Sequence, residues 1–257
     1  MALWIAGKGQ PDSKVVLIFI LGVVVMRSAG CVINDLTDRS FDGQVERTRT
    51  RPLIMKTVTL TEAYALFGLL IILAFGLVLQ LNAVTRWLSG VALTLAVVYP
   101  FMKRYINIPQ VVLGMAYGFA IPMAFAALND TVPIEAWILY LATLCWVVAY
   151  DTEYAMVDRK DDLKLGLKST AILFGHNDRL VVFVLLLGFL GGLALLGWYL
   201  RFGGYYYAGI VVGLGSAMYQ LILIFNRDPK RCFQAFMNNN LMGASLFLAL
   251  LLEYIHR

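Results

Sequence analysis

The sequence predicts an all-α protein, a multi-pass helical membrane bundle of about eight transmembrane helices with a central cavity open to the cytoplasmic side. Three observations lead there: an extreme apolar composition, apolar runs of bilayer-spanning length, and Lys and Arg concentrated in alternate loops. Of 257 residues, 60% are hydrophobic and 14% charged, with a mean hydropathy of +0.76. Soluble domains are roughly 45–50% apolar, so this chain has too little polar surface to be one.

In chain order, the candidate spans lie near 14–33, 62–81, 84–101, 108–127, 134–150, 180–200, 205–225 and 238–255. Each approaches the ~17–25 residues with which a helix crosses hydrocarbon. None shows the ~10-residue alternation of a barrel strand, so the backbone groups of each run must pair within it, as in a helix. Gly114 with Gly118, and Gly209 with Gly213, have the small-xxx-small spacing that lets membrane helices approach closely.

The loops set the orientation. Arg39, Arg47, Arg49, Arg51 and Lys56, then Lys103 and Arg104, then Arg159, Lys160, Lys164, Lys168 and Arg179, then Arg227, Lys230 and Arg231 fall on one side. The other side has Lys8, Lys14, Arg86, Arg201 and Arg257, so the first set is cytoplasmic. Topology and anionic headgroups account for the +5 net charge, and no nucleic-acid partner is implied. Cys31, Cys145 and Cys232 form no C-x-x-C pair, which argues against disulfides and structural zinc. His176 and His256 have no carboxylate or metal partner at helical spacing, so histidine chemistry is poorly supported. Short loops and the lack of a cleavable leader suit one integral-membrane domain over 1–257 in a bacterial inner membrane.

Two connections, 34–61 and 151–179, hold most of the acids, and both fall on the cytoplasmic side. If the first helix continues through NDLTDRSFD (34–42), then Asn34, Asp38 and Asp42 follow i, i+4, i+8 on one face, drifting by about 40° per step. Asp151, Asp158 and Asp162 follow i, i+7, i+11, again on one face, with Asp161 about 60° away. Ionisable groups this close to hydrocarbon require compensation. Mg²⁺ commonly takes one or two carboxylates together with substrate phosphate oxygens, so two facing aspartate clusters among cations suggest a magnesium-bridged diphosphate. Asp38, Ser40, Asp42 and Gly43 also mimic the start of an EF-hand, but its twelfth position would be Arg49, which cannot ligate calcium. A solvated interfacial face is disfavoured by the doubling of the pattern. In YPFMKRY (99–105), Tyr99 and Lys103 are one turn apart; they are either an aromatic belt with a snorkelling cation or a grip for an anion.

These residues resemble the UbiA superfamily of intramembrane aromatic prenyltransferases. NDLTDRSFD fits its N-D-x-x-D-x-x-x-D pattern, Tyr99 to Lys103 its Y-x-x-x-K pattern, and Asp158 to Asp162 its D-x-x-x-D pattern. MRSAGCVINDLTDRSFDG, VYPFMKRY, AYDTEYAMVDRKDD, GLKSTAILFG and CFQAFMNNN resemble the branch that prenylates 4-hydroxybenzoate in ubiquinone synthesis. The resemblance implies that a polyprenyl diphosphate and 4-hydroxybenzoate give 3-polyprenyl-4-hydroxybenzoate and diphosphate. It implies that Asn34, Asp38 and Asp42 form one magnesium set and Asp158 and Asp162 the other. Lys103 and Arg39 would contact the diphosphate, and Arg104 the benzoate carboxylate through its planar fork. Asp35 would orient or deprotonate the phenol, and Tyr99 would assist departure of the diphosphate or face the allylic cation. The long tail would enter from the bilayer between helices, the small acid from the cytoplasm.

Family members usually have nine spans, the first bearing a basic, Pro-containing motif. This chain begins MALWIAGKGQPDSK, so the resemblance implies that it lacks all but the last residues of that helix, through either a misplaced start or a true shortening. Two other functions fit parts of the pattern. One is a related prenyltransferase with another aromatic acceptor. The other is an ion-coupled transporter, which would place its acids near the bilayer midplane rather than at one interface.

Overall fold

Eight helices among the described residues are long and apolar enough to cross a membrane, in keeping with the eight apolar runs. The structure, a computed structural model, describes residues 1–43 and 48–257, with the side chains of Ser40, Phe41 and Asp42 outside the described set. The elements are α1 (Ala2–Ala6), α2 (Ser13–Asp42), α3 (Leu60–Val78), α4 (Ala83–Tyr105), α5 (Pro109–Gly118), α6 (Ala120–Asn129), α7 (Ile134–Leu165), α8 (Thr170–Phe174), α9 (Asp178–Tyr199), α10 (Gly204–Ile224) and α11 (Pro229–Ile255).

Three bounds differ informatively from the apolar runs. α2 continues past its apolar stretch to Asp42, as the spacing of its acids requires. α7 does not stop near residue 150 but carries the second acid set on four further turns. It ends at Gly166, whose left-handed backbone (φ 67°) suits a residue without a Cβ. The fourth span divides at Phe119 into α5 and α6. Pro122 has no N–H to donate to the carbonyl of Gly118, which interrupts the helical ladder there.

α7 is the hub, packing on α5, α9 and α11, while α10 packs along α11. The core is apolar side chains of α9 (Val182, Leu186, Leu193, Leu196) meeting Ile224, Met242 and Leu250. By contrast α2, α3 and α4 bury few side chains, and α3 touches α4 at few points, so they form a single-layer wall.

Both glycine pairs sit at close approaches. A Cβ at Gly114 would fall 2.5 Å from a Leu144 methyl on α7, and one at Gly209 would fall 2.3 Å from the Ala249 Cβ on α11. Adding bulk there forces the helices apart, at a cost of about 1–3 kcal/mol. Gly209→Leu is therefore expected to lower the melting temperature in detergent by several degrees, measurable by thermal-shift fluorescence.

The acid-bearing ends of α2 and α7 lie at the same end of the bundle. There Lys103 pairs with Asp38, the Lys168 N–H donates to the Lys103 carbonyl at 3.0 Å, and the Thr170 N–H donates to Gln110 Oε1 at 3.1 Å. Asp178, fully buried at the start of α9, accepts from Arg159 (3.2 Å) and Arg227 (2.7 Å), tying α7 and the α10–α11 link to the same end. These hydrogen bonds raise the Arg227 pKa above its ordinary range.

Candidate active site

A cavity of about 1460 Å³ runs up from the middle of the bundle to the acid-bearing end. Its upper wall on α2 carries Asn34, Asp35 and Asp38, and its opposite wall on α7 carries Asp151, Asp158 and Asp162. Asp161 does not face it and pairs instead with Lys164 at 3.0 Å. Tyr99 and Lys103, one turn apart on α4, lie between the two walls. Lower down, the lining is apolar and comes largely from α2, α3 and α4, including Phe19, Val23, Ile71, Phe75 and Leu93.

Asp38 is 3% exposed. One of its oxygens pairs with Lys103, and the other is buried without a hydrogen-bond partner among the described residues. Such an oxygen, in a cavity that Asn34, Asp158 and Asp162 also line, fits a hard divalent cation. No three His, Cys, Asp or Glu side chains among the described residues are gathered closely enough to hold a metal ion by themselves. The arrangement suits a cation shared between two walls and completed by phosphate oxygens. The Asp42 side chain, proposed from the motif, lies outside the described residues.

Arg39 is exposed, and neither it nor Arg104 is among the described residues that line the cavity. The Arg104 guanidinium donates to the Thr37 carbonyl at 2.5 Å, bracing α4 against α2. Successive helix residues point about 100° apart, so the Arg104 guanidinium leaves its helix in a different direction from Lys103, and Arg39 in a different direction from Asp38. Asp35 lines the cavity, but its carboxylate is engaged by Arg51 at 2.9 Å, which brings one cation of the RTRTRPL segment to the site. Arg49 is exposed, and Arg47 lies outside the described residues.

The sequence reading missed Arg27. It lies seven residues before Asn34 on the same face of α2, roughly 10 Å deeper along the helix. Its guanidinium hydrogen-bonds the Tyr117 hydroxyl and lies 5.9 Å from that ring's centre. With Tyr150 and Asp151, the acid of α7 nearest the bundle middle, it lines the cavity below Asp158 and Asp162. A lone cation in the apolar stretch VVLIFILGVVVMR was the available signal, because a charge at that depth is expensive unless a partner or ligand needs it.

Comparison with known proteins adds three findings. The family model described as "UbiA prenyltransferase family" matches residues 1–250. The 4-hydroxybenzoate octaprenyltransferase of Salmonella paratyphi C (strain RKS4594) is 54% identical over 255 residues, covering 99% of this chain and 88% of that protein. Its counterpart from Yersinia enterocolitica (serotype O:8 / biotype 1B) is 51% identical over 254 residues, with the same coverage of 99% and 88%. Among solved structures, the apo form of a UbiA homologue from Aeropyrum pernix K1 shares the fold with a TM-score of 0.83 at 22% identity, covering 97% of this chain and 96% of that one. A UbiA homologue from Archaeoglobus fulgidus, solved bound to GPP and Mg²⁺, has a TM-score of 0.69 at 18% identity, covering 94% and 89%.

Proposed function

Because this chain belongs to the UbiA prenyltransferase family, we propose that it transfers a polyprenyl group from polyprenyl diphosphate to carbon 3 of 4-hydroxybenzoate, a reaction that agrees with the name 4-hydroxybenzoate octaprenyltransferase of its relatives. The bond from the prenyl carbon to diphosphate oxygen breaks, a bond to the ring carbon forms, and the ring proton leaves with diphosphate as the second product. The observation that carries this reading is one cavity with two aspartate walls at its head and an apolar lining below. The head matches a metal-bridged diphosphate and the lining matches an isoprenoid tail.

Asn34, Asp38 and Asp42 on one wall, with Asp158 and Asp162 on the other, would hold Mg²⁺. When bound it supplies positive charge that offsets the charge developing on the diphosphate. Lys103 grips the same diphosphate from α4. Tyr99, one turn deeper, presents its ring to the allylic carbon. Arg27 takes the benzoate carboxylate through its planar fork, which seats the ring below the diphosphate. Asp35, steadied by Arg51, accepts a proton from the acceptor. Arg39 acts at the mouth and Arg104 by bracing α2.

The apolar walls exclude water, which would otherwise capture the allylic cation. The tail enters from the bilayer where α3 and α4 meet sparsely. The protein works as one inner-membrane domain whose acid-bearing end faces the cytoplasm.

Purified protein in detergent with polyprenyl diphosphate, labelled 4-hydroxybenzoate and magnesium is expected to give lipid-extractable label. Adding EDTA should stop the reaction and excess magnesium should restore it. Product formed equally well in EDTA would remove the metal from the scheme. Preference for a naphthoate acceptor over hydroxybenzoate would move the chain to another branch, and magnesium flux into vesicles without product would favour a transporter.

A further inference from the structure

The motif MNNN (237–240) is not used by the reaction above, yet its third residue, Asn239, links two helices at the cavity. Asn239 on α11 is nearly buried, and its amide is used in both senses. Its Oδ1 accepts from the Trp146 indole N–H at 2.7 Å, and its Nδ2 donates to Glu153 Oε2 at 3.0 Å. Trp146 and Glu153 are seven residues apart on α7, hence on one face and two turns from each other. Glu153 is 0% exposed, and no cation is paired with it among the described residues. Asn239 therefore clamps α7 across two turns, with an orientation that only a group both donating and accepting can satisfy.

The clamp fixes one ring. The Trp146 indole stacks on Phe189 at 4.9 Å and 3°, meets Tyr150 edge-on at 5.8 Å, and is approached so closely by Gly243 that a Cβ there would fall 2.8 Å from it. Trp146, Tyr150 and Asn239 all line the cavity beside Arg27.

We propose that Asn239 and Glu153 are positioning residues for the aromatic-acceptor subsite: by holding the Trp146 indole beneath Tyr150, they set the floor on which the acceptor ring is seated. This rests on the reaction proposed above. Donor and acceptor kinetics in wild type, Asn239→Leu, Trp146→Phe and their double variant test it. Trp146→Phe retains an aromatic ring but has no N–H, so it severs the clamp; the packing it loses against Gly243 is read separately from the melting temperature.

Loss of the clamp is expected to raise the KM for 4-hydroxybenzoate about tenfold, the size of one hydrogen bond, and to leave that for polyprenyl diphosphate within about twofold. The double variant should be no worse than Asn239→Leu, because both changes break the same link. Glu153→Gln, which keeps an oxygen facing the amide, should restore the acceptor KM relative to Glu153→Leu. An unchanged acceptor KM, an equal rise in both KM values, or additive effects would overturn the positioning role, as would a lowered melting temperature alone. A wild type that prenylates no hydroxybenzoate would overturn the functional reading, and the clamp's role with it.

Discussion

Asp38→Ala and Asp158→Ala are each expected to reduce prenyl transfer by at least about a thousandfold, corresponding to about 4 kcal/mol of lost transition-state stabilisation. The two residues stand on opposite walls of one cavity, so each removes half of the proposed grip on the metal and the diphosphate. Asp38 has a second consequence. Its carboxylate is buried against Lys103, and without it the ammonium loses the group with which it is paired. Asp161→Ala is the control, because that side chain is turned to Lys164 and away from the cavity. Its activity should stay within about twofold, as for a surface ion pair of small worth. Product from both Asp38→Ala and Asp158→Ala at near wild-type rate, in protein eluting as a single peak from size exclusion, would sink the metal assignment.

Arg27→Leu is expected to separate activity from stability. A guanidinium within an apolar span costs several kcal/mol to hold there, so replacing it should leave the melting temperature unchanged or raised. The KM for 4-hydroxybenzoate should rise about a hundredfold, the worth of a charge-assisted bidentate contact of about 3 kcal/mol. Donor KM should hold. Arg27→Lys should recover only part of the loss, because an ammonium cannot match both carboxylate oxygens. An acceptor KM unmoved by Arg27→Leu would show that the carboxylate binds elsewhere. This effect should exceed the one expected from Trp146→Phe, because Arg27 is proposed to touch the acceptor and Trp146 to act through Tyr150.

Helical periodicity alone makes much of the site legible in the sequence. Asn34 with Asp38, and Asp158 with Asp162, recur at spacings that can only share a face, and both pairs line the cavity. Periodicity does not place Arg39 and Arg104, because a neighbour one residue away can also line the cavity, as Asp35 does beside Asn34; only their absence from the lining separates them. Arg27 is obscured because the apolar run around it reads as membrane and nothing more. The clamp on Trp146 lies beyond sequence reasoning altogether. Asn238, Asn239 and Asn240 look alike in the chain, but the first accepts from Ser216 and Gln220 on α10 while the second spans α7. The division at Phe119 is readable from Pro122, and the polar last turns of α7 are readable from the spacing of Asp158 and Asp162, although hydropathy alone ends that run near residue 150.

The thin wall of α2, α3 and α4 changes what concentration means for this protein. In the proposed reaction a donor dissolved in the membrane would reach the cavity through a seam one helix thick, so its supply would be a two-dimensional encounter. The quantity that saturates the enzyme is then the mole fraction of donor among the surrounding lipids, not its amount per volume of buffer.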